Sequence, residues 1–247
     1  MAWSPLFART RAISLAVAAG CTATASPLLA GAFRVAPINV EVRAGTSASA
    51  LTIQNLSQQP MTIQLRVFRW RQVGGVESLE PSSDVIASPP LTSIAPGQNH
   101  VVRIVRVSGG DVTSEESYRL WVDEVPDPRN SRPGEVNLLL RQSIPVFFES
   151  RSTTLPILRL AIERRGDTFD LVLANSGSRR ERISDLRVVD AGGVQLDARA
   201  GLLGYVLAGS SMRWTLGAHP NVRWPLTIDA VSEHGPVHLV ARSTGEQ

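Results

Sequence analysis

The stretch Tyr118–Phe148, YRLWVDEVPDPRNSRPGEVNLLLRQSIPVFF, decides the fold. It holds two β-strand patterns joined by the polar loop DPRNSRPGE, with Pro126 closing the first strand. In the second pattern Val136, Leu138 and Leu140 recur at period two and share one face, while Leu139 takes the opposite face. A strand apolar on both sides is either sandwiched in a core or offers one face to something outside its domain. In the first pattern Arg119 sits between Tyr118 and Leu120, a mid-strand position where a charge needs a partner.

Outward from this stretch nearly every segment reads as strand. FRVAPINVEV alternates, with Val35, Ile38, Val40 and Val42 as inward candidates. SALTIQNL and MTIQLRVFRW follow, with Leu51, Ile53, Met61, Ile63, Leu65 and Val67 in period two. Then come a Gly74-Gly75 turn and VIASPPLTSIAPGQNHVVRIVRV, which turns at Pro96-Gly97. Arg103 and Arg106 alternate there with apolar residues, as on a solvated strand face. Trp70 and Trp121 are aromatics of a core or of a groove wall. After a polar linker, Glu149–Thr154, a second set of strand patterns begins: ILRLAIERR, TFDLVLANSG, ISDLRVVDA, VQLDARAGLLGYVLAG, SSMRWTLG, WPLTIDAV and VHLVARS. Asn175–Arg182 is a turn carrying a basic cluster. No window supports a long amphipathic helix. Short strands at regular intervals predict an all-β chain of two immunoglobulin-like β-sandwich domains, residues 33–149 and 150–247.

Residues 1–32 have the form of an export signal: Arg9 and Arg11 with no acid, the apolar AISLAVAAG, and Ala30-Gly31-Ala32 as a small-x-small cleavage site. The apolar run is interrupted and short for a membrane span, so stable membrane insertion is not expected. AAGC faintly resembles a lipobox, which leaves lipoprotein processing at Cys21 as a variant. Cleavage after Ala32 leaves 215 of the 247 residues and removes Cys21, the only cysteine, so disulfide and thiol chemistry are excluded from the mature chain. The two signal arginines leave as well, and the formal net charge falls from +3 to +1, which does not mark a nucleic-acid binder. All 25 basic residues are Arg. Any cationic anchor is therefore a planar fork able to grip a carboxylate at two points.

Enzymatic chemistry finds no foothold. The four histidines, His100, His219, His234 and His238, form no HExxH, and HGPVH crosses a Gly-Pro turn rather than aligning His234 and His238 on a helix. There is no nucleophile elbow, P-loop or dinucleotide fingerprint. Glu115-Glu116 and Asp123-Glu124 are strand neighbours that point to opposite faces. No catalytic residue, metal site or cofactor is expected.

Three blocks resemble the PapD-like periplasmic chaperones of pilus assembly by the chaperone–usher route. VIASPPLTSIAPGQNHVVRIV is similar to the family's xPPxxxIxPGxxxxVR stretch. EESYRLWVDEVP is similar to its signature of an acidic-Ser pair, an aromatic strand and a terminal Pro. VNLLLRQSIPVFF looks like the strand these chaperones lend to subunits. SYRLWVDEVP and LRQSIPVF look most like the archaic branch, which handles spore-coat-U-like subunits. In the second half GLLGYVLAGSSMRWTL is the best match. The resemblance implies two sandwiches set in an L with a working groove between them. It implies a periplasmic chaperone that binds pilin-like subunits by donor-strand complementation and delivers them to an outer-membrane usher. The alternative is a secreted immunoglobulin-like binding or structural module. The better-known branch anchors the subunit's terminal carboxylate with an Arg and a Lys, and those positions hold Asn39 and Pro145 here. Glu149 stands where that branch has the Arg of an interdomain salt bridge.

A subunit lacking one strand exposes an apolar groove and unpaired backbone groups, and an added strand satisfies both. Val136, Leu138 and Leu140 are the expected groove-filling side chains. Strand pairing slips unless one end is fixed. Arg119 and Arg141 are the candidates to grip a terminal carboxylate. Internal pairing of Arg119 with Asp123 or Glu116, with Arg141 solvated, stays open.

Overall fold

The computed structural model describes residues 33–126, 138–152, 154–166, 168–219 and 221–242. Residues 1–32, expected to be an export signal, Val136 and residues 127–135 lie outside the described residues. All regular structure among the described residues is strand. The first half holds β1 (Phe33–Ala36), β2 (Val40–Val42), β3 (Ala48–Asn55), β4 (Met61–Val73), β5 (Val76–Pro81), β6 (Val85–Ser88), β7 (Leu91–Ile94), β8 (Asn99–Arg106), β9 (Glu116–Val125) and β10 (Arg141–Phe148). The second holds β11 (Leu158–Arg165), β12 (Thr168–Asn175), β13 (Glu181–Val189), β14 (Gln195–Val206), β15 (Ser211–Ala218), β16 (Leu226–Ser232) and β17 (Gly235–Ala241).

Each half is a pair of sheets. In the first, one sheet runs β1-β3-β8-β6 and the other β2-β10-β9-β4-β5, with β7 also on β4. In the second, β11-β12-β15 faces β14-β13-β16-β17. The segment FRVAPINVEV is not one strand. It breaks after Ala36, so β1 pairs antiparallel with β3 in one sheet while β2 pairs parallel with β10 in the other. Val35, Val40 and Val42 are buried as expected, but Ile38 lies in the crossover and is 76% exposed, a correction to its inward placement.

Period two decides which side chains serve the core. On β4, Met61, Ile63 and Leu65 point inward, and on β9 Tyr118, Leu120 and Val122 do. The alternates on the other face are Arg66, Phe68 and Trp70 on β4, and Arg119, Trp121 and Asp123 on β9. This outer face of the β2-β10-β9-β4-β5 sheet carries both arginines that sequence marks as candidate anchors, Arg119 and Arg141.

Both sandwiches staple their turns with a buried asparagine at a strand end. Asn55 Nδ2 donates to the carbonyls of Gln59 (2.8 Å) and Ile94 (2.9 Å), and its Oδ1 accepts from Ser57 N (2.8 Å). Asn175 Nδ2 donates to the carbonyls of Arg179 (2.7 Å) and Val206 (3.2 Å). Its Oδ1 accepts from the backbone of Ile157 (3.1 Å) and Gly177 (2.9 Å). Deleting either amide strands several buried backbone groups. Asn55→Ala and Asn175→Ala should each cost about 1–3 kcal/mol, read as a lowered urea midpoint with unchanged far-UV circular dichroism.

Candidate functional site

β10 pairs antiparallel with β9 along its whole length, from Arg141 opposite Asp123 to Phe148 opposite Glu116. On its other side β2 covers only Val146–Phe148. Among the described residues the edge of β10 from Arg141 to Pro145 therefore has no strand neighbour. The expected strand is shorter than its sequence pattern: it starts at Arg141, and Leu138–Leu140 precede it as irregular chain. Leu140 is half-buried against the first core, and its carbonyl accepts Glu124 N at 3.0 Å. Leu138 is 82% exposed and Leu139 46% exposed. Leu138 and Leu140 thus differ in surroundings despite their shared parity, because β9 reaches back only as far as Leu140. Val136 lies outside the described residues.

The arginines sort themselves by competition for carboxylates. Asp123 accepts from Arg66 Nε (3.1 Å) and Nη2 (2.6 Å), and from Arg141 Nε. Arg141 also stacks on Trp121, its guanidinium carbon 4.0 Å from the ring centroid, so this half-exposed side chain is ion-paired rather than free. Glu116 accepts from Arg106 Nε (2.9 Å) and Nη2 (3.0 Å) and from the Tyr118 hydroxyl (3.0 Å). The Arg106 side chain is only 10% exposed, which corrects its placement on a solvated face; Arg103 does lie exposed. Both acids open to Arg119 are thereby taken by others. Among the described residues Arg119 makes no ion pair. Its guanidinium lies 3.7 Å from the centroid of Trp70 and 5.9 Å from that of Tyr205. Burial pushes its pKa down from the ordinary guanidinium value, against the pull of the Glu77 carboxylate and of Tyr205.

Arg119 stands at the junction of the two sandwiches. Trp70, Phe147, Tyr205 and Leu207 form a separate buried cluster there. Trp70 meets Tyr205 edge-on at 5.5 Å and Phe147 at 5.9 Å. Trp70 is therefore a junction residue, while Trp121 is a partly exposed wall packed on Phe68 at 4.4 Å. On the other side of the cluster the fully buried Arg180 lies 3.7 Å from the Phe147 centroid. Its Nη1 donates to Glu115 (2.6 Å), its backbone N donates to the same carboxylate (3.0 Å), and its Nη2 donates to Glu41. Arg179 pairs with Glu149 at 3.3 Å. Glu149 thus takes part in an interdomain ion pair with the charges reversed relative to the expected family pattern. Sequence showed the basic turn at Asn175–Arg182 but not its acidic partners, which lie 65 and 139 residues away. His234 and His238 bind different carboxylates, Glu181 (3.0 Å) and Asp229 (2.6 Å).

Residues 32–153 match the family model for the pili and flagellar-assembly chaperone, PapD N-terminal domain. The first sandwich is thus matched as a whole to the N-terminal domain of the pilus-assembly chaperones. A search by sequence among curated proteins returned no match. Among solved structures, the chain is similar to one in the pre-assembly complex of the chaperone CsuC with the tip adhesion subunit CsuE, from archaic chaperone–usher Csu pili of Acinetobacter baumannii. Identity is 24%, the TM-score is 0.66, and 85% of this chain and 97% of that one are covered. The Salmonella enterica complex of SafA pilin with the SafB chaperone gives 20% identity, a TM-score of 0.57 and coverages of 84% and 95%. The periplasmic chaperone SfaE gives 15% identity, a TM-score of 0.56 and coverages of 83% and 98%. The all-β, two-sandwich fold is that of these chaperones.

Burial alone would raise the Asp123 pKa, but the hydrogen bonds from Arg141 and Arg66 outweigh it and hold the carboxyl below its usual range. The ionised form is thus favoured in the folded state. The stabilisation is complete above the unfolded pKa, about 3.9, and is lost as pH falls through the depressed folded value. The stability gap between wild type and Asp123→Asn should stay constant from neutral pH to about 4 and close below it, in urea titrations across pH.

Proposed function

We propose that this chain is a periplasmic chaperone that captures pilin-like subunits by donor-strand complementation and passes them to an outer-membrane usher. Residues 33–149 form the strand-donating domain and residues 150–247 the second domain. The observation that carries this is the exposed Leu138 leading into β10, whose edge from Arg141 to Pro145 is open among the described residues, with Arg119, which makes no ion pair among them, at the far end. Backbone bonds along that edge supply affinity that tolerates many guest sequences, and alternate apolar side chains supply selectivity. Burying the exposed leucine contributes about 1.5–3 kcal/mol before ordering losses.

The register of β10 on β9 orients the guest. Pro145 lies opposite Arg119, and the chain runs from Leu138 toward the domain junction. A guest strand with its terminal carboxylate on Arg119 and its backbone on the β10 edge must run parallel to β10. Extending the strand back to Leu138 gives about 23 Å of pairing, at about 3.3 Å per residue. Between the two candidate arginines, Arg119 is the better anchor, because Asp123 already occupies Arg141. The carboxylate would meet a guanidinium held on an aromatic bed, where a charge-assisted bidentate bond is strong. Release needs no nucleotide, since the lent strand can be replaced by a better-fitting one from the next subunit.

Leu138→Glu should abolish rescue of a co-expressed subunit that otherwise aggregates, read as loss of the co-purified complex. Complex formed equally well with that change would sink the strand-lending proposal. Arg119→Ala should weaken capture about 10- to 100-fold with the free chaperone still folded, and undiminished capture would remove Arg119 as the anchor.

A further inference from the structure

The hairpin of β4 and β5 reaches across to both sheets of the second sandwich. Gln72, near the end of β4, is buried. Its Nε2 donates to Tyr205 O at 2.7 Å, and its Oε1 accepts Leu207 N at 2.9 Å. The side-chain amide thus takes the place of a neighbouring strand for the last backbone groups of β14. At the hairpin turn Arg213 N, on β15, donates to Gly75 O at 3.1 Å. Gly75 has φ +83°, and a Cβ there would sit 2.9 Å from the Arg213 Cβ, so the approach depends on glycine.

The Gln72 clasp ends where the Arg119 site begins. Tyr205 itself supplies the carbonyl that accepts one of its two hydrogen bonds, and the Tyr205 ring abuts Trp70, the aromatic bed of Arg119. Trp70 precedes Gln72 by two residues on the same face of β4. One strand therefore carries both the bed and the key that docks the opposite wall. We propose that Gln72 is a positioning residue for carboxylate anchoring: its amide sets Tyr205 of the second sandwich against Trp70 and thereby fixes the Arg119 guanidinium. This rests on the assignment of Arg119 as the anchor. The second sandwich is then a working wall of the anchoring site. The clasp is made of neutral groups, unlike the Arg180 ion pairs, which contact Phe147 on the far side of the cluster.

The test uses the signal-cleaved chain and a short fluorescent peptide of alternating valine and threonine, with either a free C-terminal carboxylate or an amide. Binding is read by anisotropy. Wild type should prefer the carboxylate form by about tenfold, since charge-assisted bonds distinguish the two ends. Gln72→Ala should reduce that preference to within about twofold while leaving affinity for the amide peptide unchanged; in an Arg119→Ala background it should have no further effect. Gln72→Met, which keeps the bulk and removes both hydrogen bonds, should behave alike and guards against a cavity artefact. Full preference retained in both Gln72 variants overturns the inference, as does an equal loss of affinity for both peptides, which marks a merely structural role. If wild type binds both peptides equally, the Arg119 assignment itself falls and takes this inference with it, a pattern distinct from failure in the Gln72 variants alone.

Discussion

Two guanidinium groups flank one small apolar cluster at the domain junction, and they differ in what neutralises them. Arg180 lies on Phe147 with Glu115 and Glu41 in hydrogen-bond contact. Arg119 lies on Trp70 with no carboxylate partner among the described residues. A partly buried cation without a contacting counter-ion is disfavoured, and an aromatic face and the more distant Glu77 carboxylate offset part of that cost. The first guanidinium therefore binds the two sandwiches together, and the second is left without a carboxylate in contact among the described residues. On the proposed assignment of Arg119 as the anchor, an arriving carboxylate would complete the electrostatics there. The arrangement holds because the carboxylates nearest in sequence to Arg119 are already taken. Asp123 is held by two arginines, and Glu116 by Arg106 and the Tyr118 hydroxyl.

The absence of lysine sharpens this sorting. A guanidinium both stacks on an aromatic face and presents a planar fork of donors, which a compact ammonium cannot do. Arg66 and Arg141 use both abilities at once, sharing Asp123 while packing on Trp121. With these two cations held by ring and carboxylate together, the sheet presents a fixed surface beside the open edge of β10. No disulfide is available to stiffen the described chain, so rigidity comes from such stacks, from the apolar cores and from the two asparagine staples.

Strand periodicity made most of the fold legible. Apolar alternation in MTIQLRVFRW and YRLWVDEV placed the inward residues correctly, because both strands lie in the middle of a sheet and feel one core along their length. It misplaced Ile38, because alternation cannot reveal that a strand leaves one sheet and joins another; Pro37 was the only local sign. Arg106 was misread for a related reason. Its strand has an outer face as expected, but Glu116 on β9 covers its end, a contact fixed by topology rather than by spacing. The ribbon around Leu138 was legible as a segment apolar on both faces. Where it would stop being a strand was not, since that depends on how far β9 extends beside it. The junction was the least legible part, because Gln72, Tyr205 and Arg180 make their decisive contacts across more than 60 residues of chain.

The irregular state of Leu138–Leu140 bears on how a lent strand can later be withdrawn. Had these residues been paired in a sheet, a guest would compete with an existing neighbour for each backbone group, and capture would be weak. Left as irregular chain with two exposed leucines, they carry their hydration cost before any guest arrives. Ordering them on binding costs on the order of 1–2 kcal/mol per residue, which offsets part of the leucine burial. On the proposed reading, net affinity along the ribbon would be moderate, and an anchor at Arg119 would supply register rather than bulk adhesion. A replacement strand that fits the guest's groove without that ordering cost would displace the chaperone downhill, which is the energetic condition for assembly without nucleotide hydrolysis.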